Sequence, residues 1–246
     1  MKQTHDPFRF TYAVLVVPLS LLLLIWTVYL AEVRLGVNLN HYGVFPRTLR
    51  GLRGILFGPM VHGSLNHLYH NSIPLVILSA ALFYFYRKIA WKTLLLGLLI
   101  TGAITWLIGR PSNHIGASGV IYMLAGFIFF KGVFSRHYRL IALSLAVVFL
   151  YGGMLWYVFP IKDGISWEGH LGGAIAGFLL AVTLRSPLPA RPKYAWEHPE
   201  YREDEDPFMR HFDKDGNFIE DPETGEREGE GIQVRYHYRE KPRESQ

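Results

Sequence analysis

The chain reads as an all-α, polytopic membrane protein with six transmembrane helices and a long first loop, on the strength of three observations. Half of its 246 residues are hydrophobic, and they concentrate between positions 11 and 184, while residues 1–10 and 186–246 are polar. The apolar runs reach or approach the roughly 18 residues that a membrane span needs. Lys and Arg gather between these runs or at their ends rather than within them, as membrane proteins distribute charge.

The first span is expected at residues 12–30, with Pro18 inside it, which membrane helices tolerate. The second covers 67–86, the third 91–108, the fourth 117–130 with a continuation to 133, the fifth 140–159 and the sixth 166–184. The fourth and sixth are short and glycine-rich, which places them inside the bundle. Residues 31–61 form a first loop that holds Arg34, Arg47, Arg50 and Arg53 beside Val44, Phe45, Ile55, Leu56 and Phe57. A loop of this length is expected to be functional and to lie partly in the membrane interface as short amphipathic helices. The domain plan is a cytoplasmic segment at 1–11, a membrane domain at 12–185 and a hydrophilic, mobile tail at 186–246. Asp213, Asp215 and Asn217 in that tail resemble a calcium loop, but Gly216 is out of order for one, so a solvated tail is the better reading.

Orientation follows from the basic residues. One face would carry Lys2, Arg9, Arg87, Lys88, Lys92, Lys131, Arg136, Arg139, Arg185, Arg191 and Lys193. The other would carry the first-loop arginines with Arg110 and Lys162. The richer set belongs in the cytoplasm, so both termini are expected there. The first loop dissents from this vote. The expected location is a cell membrane, the bacterial inner membrane, with the lipid bilayer as a partner. No cleaved leader is expected, because the first apolar run lacks an A-x-A-like site and further spans follow it.

Composition excludes several classes. The chain has no cysteine, which removes disulfides, thiolate metal sites and a cysteine nucleophile. The net charge of +5 is explained by span-flanking residues, so no nucleic-acid partner is expected. No cofactor or metal is expected either.

The chemistry points to two strings. Ser118, in Gly116-Ala117-Ser118-Gly119, opens the fourth span, where free N–H groups and the helix dipole favour a developing negative charge. The glycines allow close approach of another backbone. A helix cap or a small packing residue is the plain alternative. His170 opens the sixth span, with Gly173 and Gly177 on its helical face. Small residues on that face let two helices meet and bring the imidazole to the hydroxyl. His62, His67 and Asn71 lie at the same end, where His67 and Asn71 share a face and can donate to an oxyanion. Metal binding by the histidines is disfavoured by the lack of a facing carboxylate or thiolate. Tyr122, one turn after Ser118, is placed to pack on His170. Asp163 and Glu168 are near His170 in sequence, but Glu168 is two residues away and faces elsewhere, so the pair reads as a Ser–His dyad without a third member.

These strings together resemble the rhomboid family of intramembrane serine proteases: His62-x4-His67-x3-Asn71, then Gly116-Ala117-Ser118-Gly119 with Tyr122, then Gly169-His170-x2-Gly173-x3-Gly177. The resemblance covers about residues 12–184 and is to a bacterial six-span member. It implies a rhomboid-like bundle, with Ser118 as nucleophile, His170 as general base and acid, and an oxyanion hole from His67, Asn71 and the Ser118 N–H. It also implies a supporting place for His62 near that hole, Tyr122 packed on the histidine, and substrate entry near residues 156–167. Many members carry a Trp-Arg pair in the first loop; here Pro46-Arg47 stands in a comparable region. The implied activity is endoproteolysis of transmembrane proteins near the outer membrane surface. The alternatives are a non-catalytic relative that binds transmembrane clients and, lower, a small transporter. The second is disfavoured by the scarcity of charge inside the spans.

Overall fold

A computed structural model describes residues 8–135, 137–162, 164–186 and 194–220. The parts of the expected terminal segments that fall on residues 1–7, 187–193 and 221–246 lie outside this description, as does Asp163. The chain divides into two units, Met1–Ala190 and Arg191–Gln246.

The first unit is an all-helical bundle. Its helices are α1 (Ala13–Leu35), a single turn α2 (Gly54–Phe57), α3 (Leu65–Phe85), α4 (Ala90–Ile108), α5 (Ser118–Phe134), α6 (Tyr138–Tyr151) and α7 (Trp167–Thr183). Among the described residues, four segments are long and apolar enough to cross a membrane: Ala13–Leu35, Leu65–Phe85, Ala90–Ile108 and Tyr138–Val158. Helices α5 and α7 have 17 residues each. The apolar side chains that stay exposed, among them Leu19 and Leu23 on α1 and Leu145 and Phe149 on α6, are what a lipid-facing surface requires. The chain is a multi-pass membrane protein.

Two boundaries differ from the sequence expectation for physical reasons. Helix α1 runs five residues past 30, because Glu32 and Arg34 continue the helix until Gly36 turns the chain at φ 62°. The fifth span changes at Gly152 into a 3-10 helix, Gly152–Val158. The first loop packs as a series of short turns, Asn40–Tyr42, Arg50–Arg53, α2 and Gly58–Met60. A β-bridge between Val44 and His114 ties it to the α4–α5 loop. A side chain at Gly51 or Gly54 would strike the backbone of Phe45 or Gly43.

Two of the dissenting arginines have structural partners. Arg47 Nη1 donates to the carbonyls of Leu107 (3.1 Å) and Gly109 (2.9 Å) at the end of α4. Arg53 lies over the Tyr42 ring at 4.4 Å and donates to His41 O at 2.9 Å.

Helix α5 is the centre of the bundle, packed by α3, α4, α6 and α7. Met123, Leu124, Phe127 and Ile128 are fully enclosed along it. Its contact with α7 is the most extensive between any two elements and is made largely through glycine. A Cβ on Gly173 would collide with the Gly119 carbonyl oxygen, and one on Gly177 with that of Met123. At the far end, Lys131 Nζ donates to the carbonyls of Ala181 and Leu184, closing the C-terminus of α7.

The second unit, over residues 194–220, holds short 3-10 turns and one bridge between Phe212 and Phe218. Asp213 Oδ1 accepts from the N–H groups of Asp215 (2.9 Å) and Asn217 (2.8 Å), a turn closed by the Asp213 side chain.

The close α5–α7 contact predicts a sharp size limit. Gly173→Ala should lower the melting temperature in detergent by an amount corresponding to about 2 kcal/mol, since the added carbon meets backbone rather than a movable side chain. Gly153→Ala, where a Cβ would meet nothing within 4 Å, should melt as the wild type does.

Candidate active site

The N-termini of α3, α5 and α7 converge at one end of the bundle. Ser118 is the first residue of α5, so its N–H has no acceptor within the helix. The turn before it depends on Gly116 at φ 103°, a conformation that side chains disfavour. Gly116 also needs its lack of a side chain, because a Cβ there would sit 2.6 Å from His67 Nε2 and 3.5 Å from Asn71 Nδ2. His67 and Asn71 thus lie directly against the Gly116–Ser118 turn.

His170 lies in the first turn of α7, whose N-cap is Ser166. Its ring is buried and has partners on both nitrogens. Nε2 is 2.9 Å from Ser118 Oγ, and Nδ1 is 2.9 Å from Tyr157 O. A carbonyl oxygen only accepts, so Nδ1 carries the proton and Nε2 faces the hydroxyl with its lone pair. The ring also stacks on Tyr122, with centroids 4.2 Å apart and planes 9° from parallel. Tyr122 is itself fixed by donating to Met154 O at 2.5 Å. The imidazole is held by stacking, by a carbonyl and by the serine.

His62 works one layer behind. Its Nδ1 faces Met60 O at 3.2 Å, so Nε2 is the acceptor, and it takes the Asn71 amide at 3.0 Å and the Ala117 N–H at 3.4 Å. One Asn71 N–H is therefore directed at His62, which sets the amide plane and leaves the other N–H to the site. Burial, with the neighbouring His67 second, lowers the His62 pKa to about 4. A neutral imidazole is what this double acceptance requires. Among the described residues, no group of three His, Asp or Glu side chains is placed to hold a metal ion.

A cavity of about 40 Å³ lies beside Ser118, bordered by Thr101, Thr105, His114 and Ser166 among others. Thr101 Oγ1, on this border, is buried without a protein partner.

The structure thus brings together Ser118, His170, His67, Asn71, His62, Gly116 and Tyr122, while Gly173 and Gly177 form the packing face behind them. Sequence reasoning did not single out His114, Arg110 and Ser166, which join Glu168 in a polar network next to the site. A histidine two residues ahead of the Gly116 turn was a visible signal, but its partners come from a helix about 50 residues away.

A family model of the Rhomboid domain matches residues 50–187, more than half of the chain. The chain belongs to the rhomboid family. Similar proteins occur in mycobacteria. Relatives from Mycobacterium bovis and Mycobacterium tuberculosis are each 36% identical over 183 residues, covering 69% of this chain and 74% of theirs. One from Mycobacterium leprae is 36% identical over 180 residues, covering 69% and 70%. All three are described as uncharacterised proteins. The rhomboid family is in general one of intramembrane serine proteases.

The histidine behind the site predicts an acid limit. His62 titrates near 4 when folded and near its ordinary value of 6.5 when unfolded, so the unfolded chain takes up the proton first. Its contribution to stability is complete above pH 6.5 and is lost as pH falls toward 4. His62→Gln should therefore show a smaller fall in melting temperature between neutral and acid pH than the wild type. Some slope should remain, because burial also lowers the pKa of His114.

Proposed function

We propose that this rhomboid is an intramembrane serine endopeptidase, with Ser118 as nucleophile and His170 as its general base and acid. The observation that carries the reading is the pair of contacts on one imidazole: Nδ1–H on Tyr157 O and Nε2 on Ser118 Oγ, both at 2.9 Å. A ring so fixed can take only the serine proton.

In this mechanism Nε2 accepts the Ser118 proton as Oγ attacks a substrate carbonyl. The oxyanion is met by the Ser118 N–H, by Asn71 Nδ2 and by His67, which lie around the Gly116 turn. The imidazolium then gives its proton to the leaving amine, and a water deprotonated by His170 releases the acyl group. The cavity beside Ser118, about 40 Å³ and bordered by the hydroxyl-bearing Thr101, Thr105 and Ser166, is large enough to supply such water. A carbonyl on Nδ1 takes the orienting part that a carboxylate plays in a triad, which suits a site where a third charge would be costly.

The substrates are transmembrane proteins. A helix hides its carbonyls in its own hydrogen bonds, so the substrate must unwind near the end of the bundle that holds Ser118. Residues that weaken helices should mark the cleavage site. Of the richer set of basic residues, Arg87, Lys88, Lys92, Lys131 and Arg139 lie at the opposite end, which supports cytoplasmic termini and cleavage near the outer surface of the cell membrane.

Purified protein in detergent should cleave a labelled single-span substrate. Ser118→Ala and His170→Ala should each lower the rate by about a thousandfold or more. Undiminished cleavage in either variant refutes the dyad.

A further inference from the structure

Glu168 belongs to none of the chemistry above, yet it is 1% exposed. It lies in the first turn of α7, where an acid favours the helix dipole. That role needs no burial, and enclosing a carboxylate is costly unless it is paired. Its surroundings show what it holds. Oε1 accepts the Arg110 N–H at 3.1 Å and lies 3.7 Å from Arg110 Nε. Oε2 has no hydrogen-bond partner and lies 4.0 Å from His114 Nδ1.

His114 extends the connection in three directions. Its backbone pairs with Val44 in both senses at 2.9 Å, reaching the first loop. Its Nε2 donates to Arg110 O at 3.0 Å, because that carbonyl can only accept. Its Nδ1 then accepts from the Ser166 hydroxyl at 2.6 Å, while Ser166 Oγ accepts the Gly169 N–H at 3.3 Å. Arg110 Nη2 reaches Ile165 O at 2.5 Å. The network joins the start of α7 and the residues just before it to the loop that leads to Gly116 and, through Val44, to the first loop.

The geometry points to Glu168 as a positioning residue for the proposed reaction. Its carboxylate, held by Arg110, locks the start of α7 to the α4–α5 loop and so fixes His170 against Ser118. Ser118 and His170 are 52 residues apart in sequence, and their 2.9 Å contact is only as stable as the register between the two helix N-termini that carry them. The glycine faces of α5 and α7 set how close the helices come. They resist sliding and rotation poorly, because glycine offers no side chain to interlock. A polar lock at the helix starts supplies that resistance.

This role rests on the Ser118–His170 reading, and the test separates the two. The full-length protein in detergent is labelled with a fluorophosphonate carrying a fluorophore, and the maximal labelling rate is resolved from the half-saturating probe concentration. Glu168→Ala should lower the maximal rate by about tenfold to a hundredfold, with half-saturation shifted by no more than about twofold, as a displaced base requires. Glu168→Gln keeps the shape and an oxygen for the Arg110 N–H, and it should retain most of the wild-type rate. An unchanged maximal rate in Glu168→Ala, or an effect confined to half-saturation, overturns the positioning role. So does Glu168→Gln failing as badly as Glu168→Ala. Where Glu168→Ala does not purify folded, Ser166→Ala, which removes the link from His114 to Gly169, is judged by the same criteria. Labelling that survives Ser118→Ala, or wild type that takes no label, overturns the dyad itself. Labelled wild type with an unaffected Glu168→Ala overturns only the positioning role.

Discussion

The bundle is organised around a backbone-to-backbone approach of α5 and α7. Between Gly119 and Gly173, and again between Met123 and Gly177, there is no room for a single carbon. In lipid, helices gain little from hiding apolar side chains from one another, so close packing of small residues and dispersion have to hold them. That constraint explains the burial of α5 on all sides and the shortness of both helices, since neither has to present a full apolar surface to lipid. It also sets the scale of the candidate site. A serine and an imidazole can share a hydrogen bond across two helices only when the helix axes are closer than bulky side chains allow.

Around this contact, backbone carbonyls satisfy many of the polar side chains. His170 is oriented by a carbonyl, His62 by another, and Tyr122 by a third. Ser72, Ser79 and Thr105 return their hydroxyls to carbonyls four residues earlier. Arg47 and Lys131 close the ends of α4 and α7 in the same way. Each arrangement avoids a second buried charge, which would be expensive in a low-dielectric setting. Glu168 is the exception, and it is met by the N–H and the guanidinium of Arg110.

The helices were legible because an uninterrupted apolar run of about 20 residues is matched to the thickness of a bilayer and is longer than a soluble core demands. Alternation puts the starts of three spans on the same side, and the placement of His67, Ser118 and His170 near those starts, which alternation does not force, brings them to one depth. The glycine spacing on α7 signalled a close contact. The first loop was harder. Its arginines read as charges voting on topology, whereas Arg47 caps a helix and Arg53 covers a tyrosine. Side-chain charge is visible in sequence, but which carbonyl or ring it meets is decided by tertiary placement. The same is true of His114, whose partners Ser166 and Glu168 are set by the α4–α5 loop folding against α7. The fifth span was legible as apolar, but its change of winding at Gly152 was not, because glycine in a membrane helix signals packing as often as a break.

The segment Gly152–Val158 offers two of its carbonyls, Met154 O and Tyr157 O, to the ring that steadies the imidazole and to the imidazole itself. It is wound as a 3-10 helix and is largely exposed on its outer side, so little else anchors it. Pulling it away from α7 would free Nδ1 of its acceptor and loosen the stacked tyrosine in one motion. Any opening of the bundle along this seam would disarm the proposed base, and rearming it would require the seam to close again.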